Sequence, residues 1–143
     1  MYRLISFDLM GTLIKPKTCI GKQYIEAILR QGASGSYCDE QVRKQFYESY
    51  KLQSKEQPVF GFYTQLDSVD WWRAVFQNTW KNNSELTSSQ IADAFDDVYH
   101  NFEYDLIPGA AELLTDIKRK NCKVAVYSNT GRFKTLLCNK IRA

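Results

Sequence analysis

Phe7-Asp8-Leu9-Met10-Gly11-Thr12-Leu13 is the stretch that decides the fold class. It continues the short apolar run at residues 2–7 (YRLISF), which carries no helix caps and stops on an acid. Such a run reads as a buried strand that ends on a carboxylate and a tight Gly-Thr turn. Ligands of open α/β sheets bind at the carboxyl ends of strands, so Asp8 stands where chemistry is done. A strand-end Asp also serves as a helix cap or turn former, and nothing in these seven residues separates the two roles.

A second run of the same kind lies at residues 124–127, inside KVAVYS, and it too closes on polar residues: Ser128, Asn129 and, after Thr130, Gly131. A hydroxyl and backbone N–H groups at a helix start suit an anionic oxygen cluster, and the same residues can cap the helix. Upstream, Ala110, Leu113, Leu114 and Ile117 have helical spacing, with Pro108 near the first turn and Lys118, Arg119 and Lys120 at the end. Helix then strand is half of a βαβ unit.

Residues 18–105 are too many for a simple crossover between adjacent strands. They read as four amphipathic helices. The first, 20–31, presents Ile20, Tyr24, Ala27 and Ile28 and stops at Gly32; the second, 39–52, presents Val42, Phe46 and Tyr50. The third, 68–81, carries Trp72, Val75, Phe76 and Trp80; the fourth, 87–102, carries Ile91, Phe95, Val98 and Phe102, with capping-box spacing between Thr87 and Gln90. Residues 54–67 form the longest irregular connector. Four such helices can bury one another as a bundle.

The 143 residues, 44% hydrophobic and 24% charged, are those of an ordinary soluble globular protein and rule out fibrous or long disordered architecture. No apolar run approaches the ~18 residues of a membrane span, and Asp8 interrupts the N-terminal run before it could act as a signal-peptide core. An intracellular setting is expected, with cytoplasm, nucleus and mitochondrion left open, and no membrane partner. Cys19, Cys38, Cys122 and Cys138 lie far apart and only one histidine is present, so a zinc site lacks ligands and spacing. Free, mostly buried thiols are the expectation. Residues 1–116 hold 11 basic against 16 acidic side chains, whereas residues 117–143 hold eight basic and none acidic. A basic tail can contact nucleic acid, yet it has no aromatic interleaving and three of its charges close a helix, so a nucleic-acid partner ranks lowest.

In combination, the Asp-x-x-Gly-Thr-Leu turn after the first strand, the helical insert directly behind it and the Ser-Asn after the second strand resemble the haloacid dehalogenase-like (HAD) hydrolase superfamily. Pro58-Val59-Phe60-Gly61, Trp71-Trp72 and Pro108-Gly109-Ala110 look like one subgroup of it; a tandem Trp on a helix is core material with no catalytic meaning. The resemblance implies an α/β fold: an incomplete Rossmann-like HAD core, residues 1–16 and 106–143, with an inserted four-helix cap of the C1 type, residues 17–105.

It further implies that Asp8 is the nucleophile that forms an aspartyl ester, and that Mg²⁺ is held by Asp8 and the backbone carbonyl of Met10. Gly11, Thr12, Ser128 and Asn129 would bind the phosphate of a small phosphorylated or related organic substrate. Two departures bear on activity. Met10 stands where family phosphatases carry a second Asp, and the missing general acid/base is worth ~10²–10⁴ in rate. The residues end at Ala143, before the family's Lys motif and its acidic metal motif, which implies a truncated chain inactive by itself. The alternative is a catalytically dead relative that binds a protein or ligand through its helical cap.

Overall fold

The computed structural model describes residues 4–127. These residues divide into two units, one running to Lys17 and resuming at Tyr104, the other comprising Thr18–Glu103.

In the first unit, strand β1 (Leu4–Asp8) pairs in parallel with β4 (Lys123–Tyr127), in a register that sets Asp8 opposite Tyr127. Both strands are where the apolar runs place them, but they are not buried: Leu4 is 65% exposed. Among the described residues this sheet has only two strands, too few to have both faces covered, so side chains such as Leu4 stay accessible. A second ladder, which periodicity gives no hint of, joins β2 (Ile14–Pro16) antiparallel to β3 (Tyr104–Leu106), with Ile14 opposite Leu106. Three-residue strands are too short to show alternation. The ladder is extended by Ile107, whose N–H donates to the Leu13 carbonyl at 2.9 Å. It ties the departure point of the insert to its return point, and so assigns Tyr104 and Asp105 to this unit.

Helix α5 (Ala110–Arg119) packs Ala110 into a small core with Leu9, Leu13 and Ile14. Gly109, at φ 84°, caps its start, so Pro108 sits just outside the helix, before its first turn. Leu113, expected on the inner face, is largely exposed. The helix ends in a Schellman arrangement: Asn121 is left-handed at φ 53°, its N–H donates to Lys118 O at 3.0 Å, and Cys122 N–H donates to Ile117 O at 3.2 Å.

The second unit holds α1 (Ile20–Arg30), α2 (Asp39–Glu56), α3 (Ser68–Trp80) and α4 (Ser88–Asn101). Gly32 ends α1 at φ 77°, with Gly32 N–H donating to Leu29 O and Ala33 N–H to Ile28 O. Thr87 and Gln90 form the expected reciprocal capping box on α4. One core joins Tyr24, Ala27 and Ile28 of α1, Val42 and Phe46 of α2, Trp71, Val75, Phe76 and Trp80 of α3, and Ala94, Phe95 and Val98 of α4.

Three expectations are corrected. Trp71, not Trp72, is the fully buried member of the tandem, because its indole N–H reaches the Gln57 carbonyl at 2.8 Å. Helix α2 runs a turn further than residue 52, and the connector contains a 3₁₀ segment, Val59–Thr64, that is kinked through left-handed Phe60 and Gly61. The thiols are free at Cys19, Cys38 and Cys122 but not mostly buried: two are half-buried and Cys38 is exposed, while Cys138 lies outside the described residues. No helix among the described residues is long and apolar enough to cross a membrane.

Candidate active site

The turn after β1 is organised by one carbonyl. Leu9 O accepts from Leu13 N–H at 2.9 Å, Ile14 N–H at 3.1 Å and Thr12 N–H at 3.4 Å, while Gly11 N–H returns to Ile14 O at 2.8 Å. Leu9 and Leu13 anchor it as completely enclosed side chains. Gly11 adopts φ 78° with open space where a Cβ would stand, so glycine is required here by the dihedral and not by crowding. Hydrophobic anchoring at i and i+4, with a left-handed glycine between, presents Asp8, Met10 and Thr12 outward on a fixed backbone. All three are exposed.

The Asp8 carboxylate sits at the carboxyl end of β1 and makes no hydrogen bond or ion pair among the described residues. Among the described residues it caps no helix and closes no turn. Met10 points a partly exposed thioether from the next position but one. Ser128 and Asn129 come directly after Tyr127, the residue opposite Asp8, and lie outside the described residues. The structure thus brings together Asp8, Met10, Gly11 and Thr12 on one turn and is silent on the second phosphate-binding pair. The contribution of Leu9 and Leu13 as anchors is visible in the sequence only as an apolar i, i+4 pair. The β2–β3 ladder that braces the turn from Leu13 onward has no sequence signal.

Mg²⁺ takes oxygen ligands and commonly uses only one or two protein carboxylates, filling its octahedron with water and substrate oxygens. Asp8 offers an unengaged carboxylate, and the Met10 carbonyl takes part in none of the turn's hydrogen bonds. That donor chemistry fits a hard cation, as two of its six ligands. No cluster of three or more His, Cys, Asp or Glu side chains that could hold a metal exists among the described residues.

The sequence profile described as "Hydrolase: haloacid dehalogenase-like hydrolase" matches residues 2–136. The chain belongs to the haloacid dehalogenase-like hydrolase family. It is 28% identical over 137 residues to haloacid dehalogenase-like hydrolase domain-containing protein 3 of Xenopus tropicalis, covering 91% of this chain and 70% of that protein. The mouse protein of the same name is 27% identical, covering 91% of this chain and 53% of its own length. The rhythmically expressed gene 2 protein of Drosophila melanogaster is 31% identical, with 96% of this chain and 57% of the relative covered. The chain thus spans between about half and 70% of the length of these relatives. The subgroup suggested by the Pro-Val-Phe-Gly, Trp-Trp and Pro-Gly-Ala stretches is that of the domain-containing protein 3 relatives.

Proposed function

We propose that these residues carry the nucleophile and one phosphate-binding turn of a hydrolase acting on a small phosphorylated or related organic ester, with the four-helix unit as its cap. The observation that carries the reading is the unengaged Asp8 carboxylate at a strand end, followed by a left-handed Gly11 and an exposed Thr12. Family membership supports the reaction class.

In the proposed reaction an Asp8 oxygen attacks the phosphorus, the bond to the leaving oxygen breaks, and the aspartyl phosphate is then cleaved by water, which releases Asp8. Thr12 orients the phosphoryl oxygens with its hydroxyl, while the Gly11 and Thr12 N–H groups hold the turn in place through the Ile14 and Leu9 carbonyls. Mg²⁺, held by Asp8 and the Met10 carbonyl, would offset the repulsion between carboxylate and phosphate. Ser128 and Asn129 belong to the same proposed phosphate site. Met10 has no proton to give, so the leaving group takes its proton from water, and a slow phosphomonoesterase is expected. The residues 1–143 expressed alone are proposed to lack turnover, since the family's Lys and acidic motifs are not among them.

The experiment is Mg²⁺-dependent hydrolysis of p-nitrophenyl phosphate by this chain and by a version completed with the C-terminal part of a relative. The completed version should turn over, Asp8→Asn should abolish turnover, and Met10→Asp should raise it by ~10²-fold or more. Activity that survives Asp8→Asn without deamidation ends the proposal. Met10 also favours a second reading, a catalytically dead relative whose helical unit binds a protein or ligand. Completed protein that stays inactive even with Met10→Asp, while binding through Thr18–Glu103, would select it.

A further inference from the structure

The register of β1 against β4 sets an aromatic ring beside Asp8. Phe7 and Val126 stand opposite each other, and both pack on the small core that holds Leu9 and Leu13. Side chains alternate along a strand, so the next pair, Asp8 and Tyr127, turns to the other face. Paired residues of neighbouring strands lie about 5 Å apart, which puts the Tyr127 ring within reach of whatever the Asp8 carboxylate attacks. Tyr127 is 70% exposed, and the pair before it on that face, Ser6 and Ala125, is too small to cover it. The turn adds one more accessible apolar side chain, Met10.

The same turn restricts the leaving group. Leu9, Met10, Gly11 and Leu13 have no side-chain proton to give, and the Thr12 hydroxyl is engaged with the phosphoryl oxygens in the proposed reaction. An alkoxide departs poorly without a proton, and a missing general acid costs ~10²–10⁴ in rate. A phenolate spreads its charge over the ring and departs unprotonated. Acyl phosphates and phosphoanhydrides also need no proton, but only an aromatic leaving group gains from the Tyr127 ring, by offset or edge-to-face contact. The Met10 thioether likewise favours the edge of an aromatic ring. The absent acid and the exposed ring thus select the same organic part.

We propose that the Asp8 site takes phosphate monoesters of phenols, with Tyr127 as the residue that selects the aromatic part; this rests on the hydrolase reading above. An Asp8 oxygen bonds to phosphorus as the bond to the phenolic oxygen breaks, and the electron pair leaves with the phenolate, which water protonates. Water then attacks the aspartyl phosphate, freeing the Asp8 carboxylate and inorganic phosphate.

The test uses the completed protein with Mg²⁺. The ratio kcat/KM, which reports formation of the aspartyl phosphate, should be at least ~10²-fold higher for phenyl phosphate than for glycerol 3-phosphate. Met10→Asp should narrow that gap, because in this step an added acid helps the alkyl leaving oxygen far more than the phenolic one. Phenylphosphonate, which cannot be cleaved, should inhibit roughly 3–10-fold more tightly than methylphosphonate. Tyr127→Ala should remove that preference and Tyr127→Phe should keep it. Equal kcat/KM for the two esters, or a phosphonate preference that survives Tyr127→Ala, overturns the substrate class and leaves the hydrolase reading standing. A Tyr127→Phe protein that loses the alkyl ester alone makes the phenol a proton donor and overturns the class as well. No turnover of any ester, by the completed protein or its Met10→Asp form, overturns the hydrolase reading and the substrate class with it.

Discussion

Gly21, in the first turn of α1, lies against the start of α2, and the Gly21→Ala substitution measures how closely the two backbones approach. An added Cβ would stand 2.2 Å from the Asp39 carbonyl oxygen, 3.0 Å from its carbon and 3.1 Å from the Arg43 nitrogen. All three atoms are backbone, so no side-chain rotamer can relieve the overlap. A carbon and an oxygen prefer to sit about 1 Å further apart than this, so the two helices must separate across a core that includes Tyr24, Val42 and Phe46. Overpacking of this kind costs ~1–3 kcal/mol, with the upper end appropriate where rigid backbone is the obstacle. Alanine returns ~1 kcal/mol through its higher helix propensity. The net loss should be about 2 kcal/mol, which in a unit the size of Thr18–Glu103 lowers the melting midpoint by roughly 8–16 °C. The assay is thermal and urea unfolding followed by circular dichroism at 222 nm, with Gly32→Ala as the comparison. Gly32 has open space around it, so that change costs only the left-handed conformation, about 1–2 kcal/mol. A Gly21→Ala protein as stable as the parent, or more stable, would refute the close approach of α1 and α2.

Three further outcomes are expected. Val59 holds φ 53°, a conformation that penalises a β-branched residue, and its side chain is 60% exposed, so Val59→Asn should raise stability by about 0.5–1 kcal/mol in urea unfolding. Trp71→Ala should cost ~3–5 kcal/mol, since it empties a filled site and orphans the Gln57 carbonyl, while Trp72→Ala costs less than half of that. Burial pushes the Tyr104 phenol up to about 12 from 10.0. The unfolded chain then releases this proton first on alkalinisation, so stability is complete below pH 10 and falls between pH 10 and 12. Titration at 295 nm should resolve a late tyrosine that disappears in Tyr104→Phe.

Much of the fold is written locally. The helices of the insert are set by apolar spacing and by end signals that act within a few residues: Gly32 closing α1 and the Thr87–Gln90 box opening α4 both work as the sequence leads one to expect. The Asp8 turn is legible for the same reason, because an acid after an apolar run and a glycine three residues later are consecutive in the chain. The sequence thus determined the helical insert, the two parallel strands and the turn that displays Asp8.

What only the tertiary structure decided depends on residues distant in the chain. Periodicity assigns Trp72 to the inner face of α3, yet Trp71 is the one enclosed, because the Gln57 carbonyl at the end of α2 receives its indole N–H. Ladder β2–β3 joins residues about 90 positions apart, and strands of three residues are too short for any pattern to announce them. Whether a strand-end acid such as Asp8 becomes a cap is likewise a tertiary matter, since it depends on whether backbone N–H groups arrive beside it. Local rules fix which residues form an element and where it stops; which of its side chains are enclosed, and which polar atoms are left waiting for a partner, is settled by what packs against it.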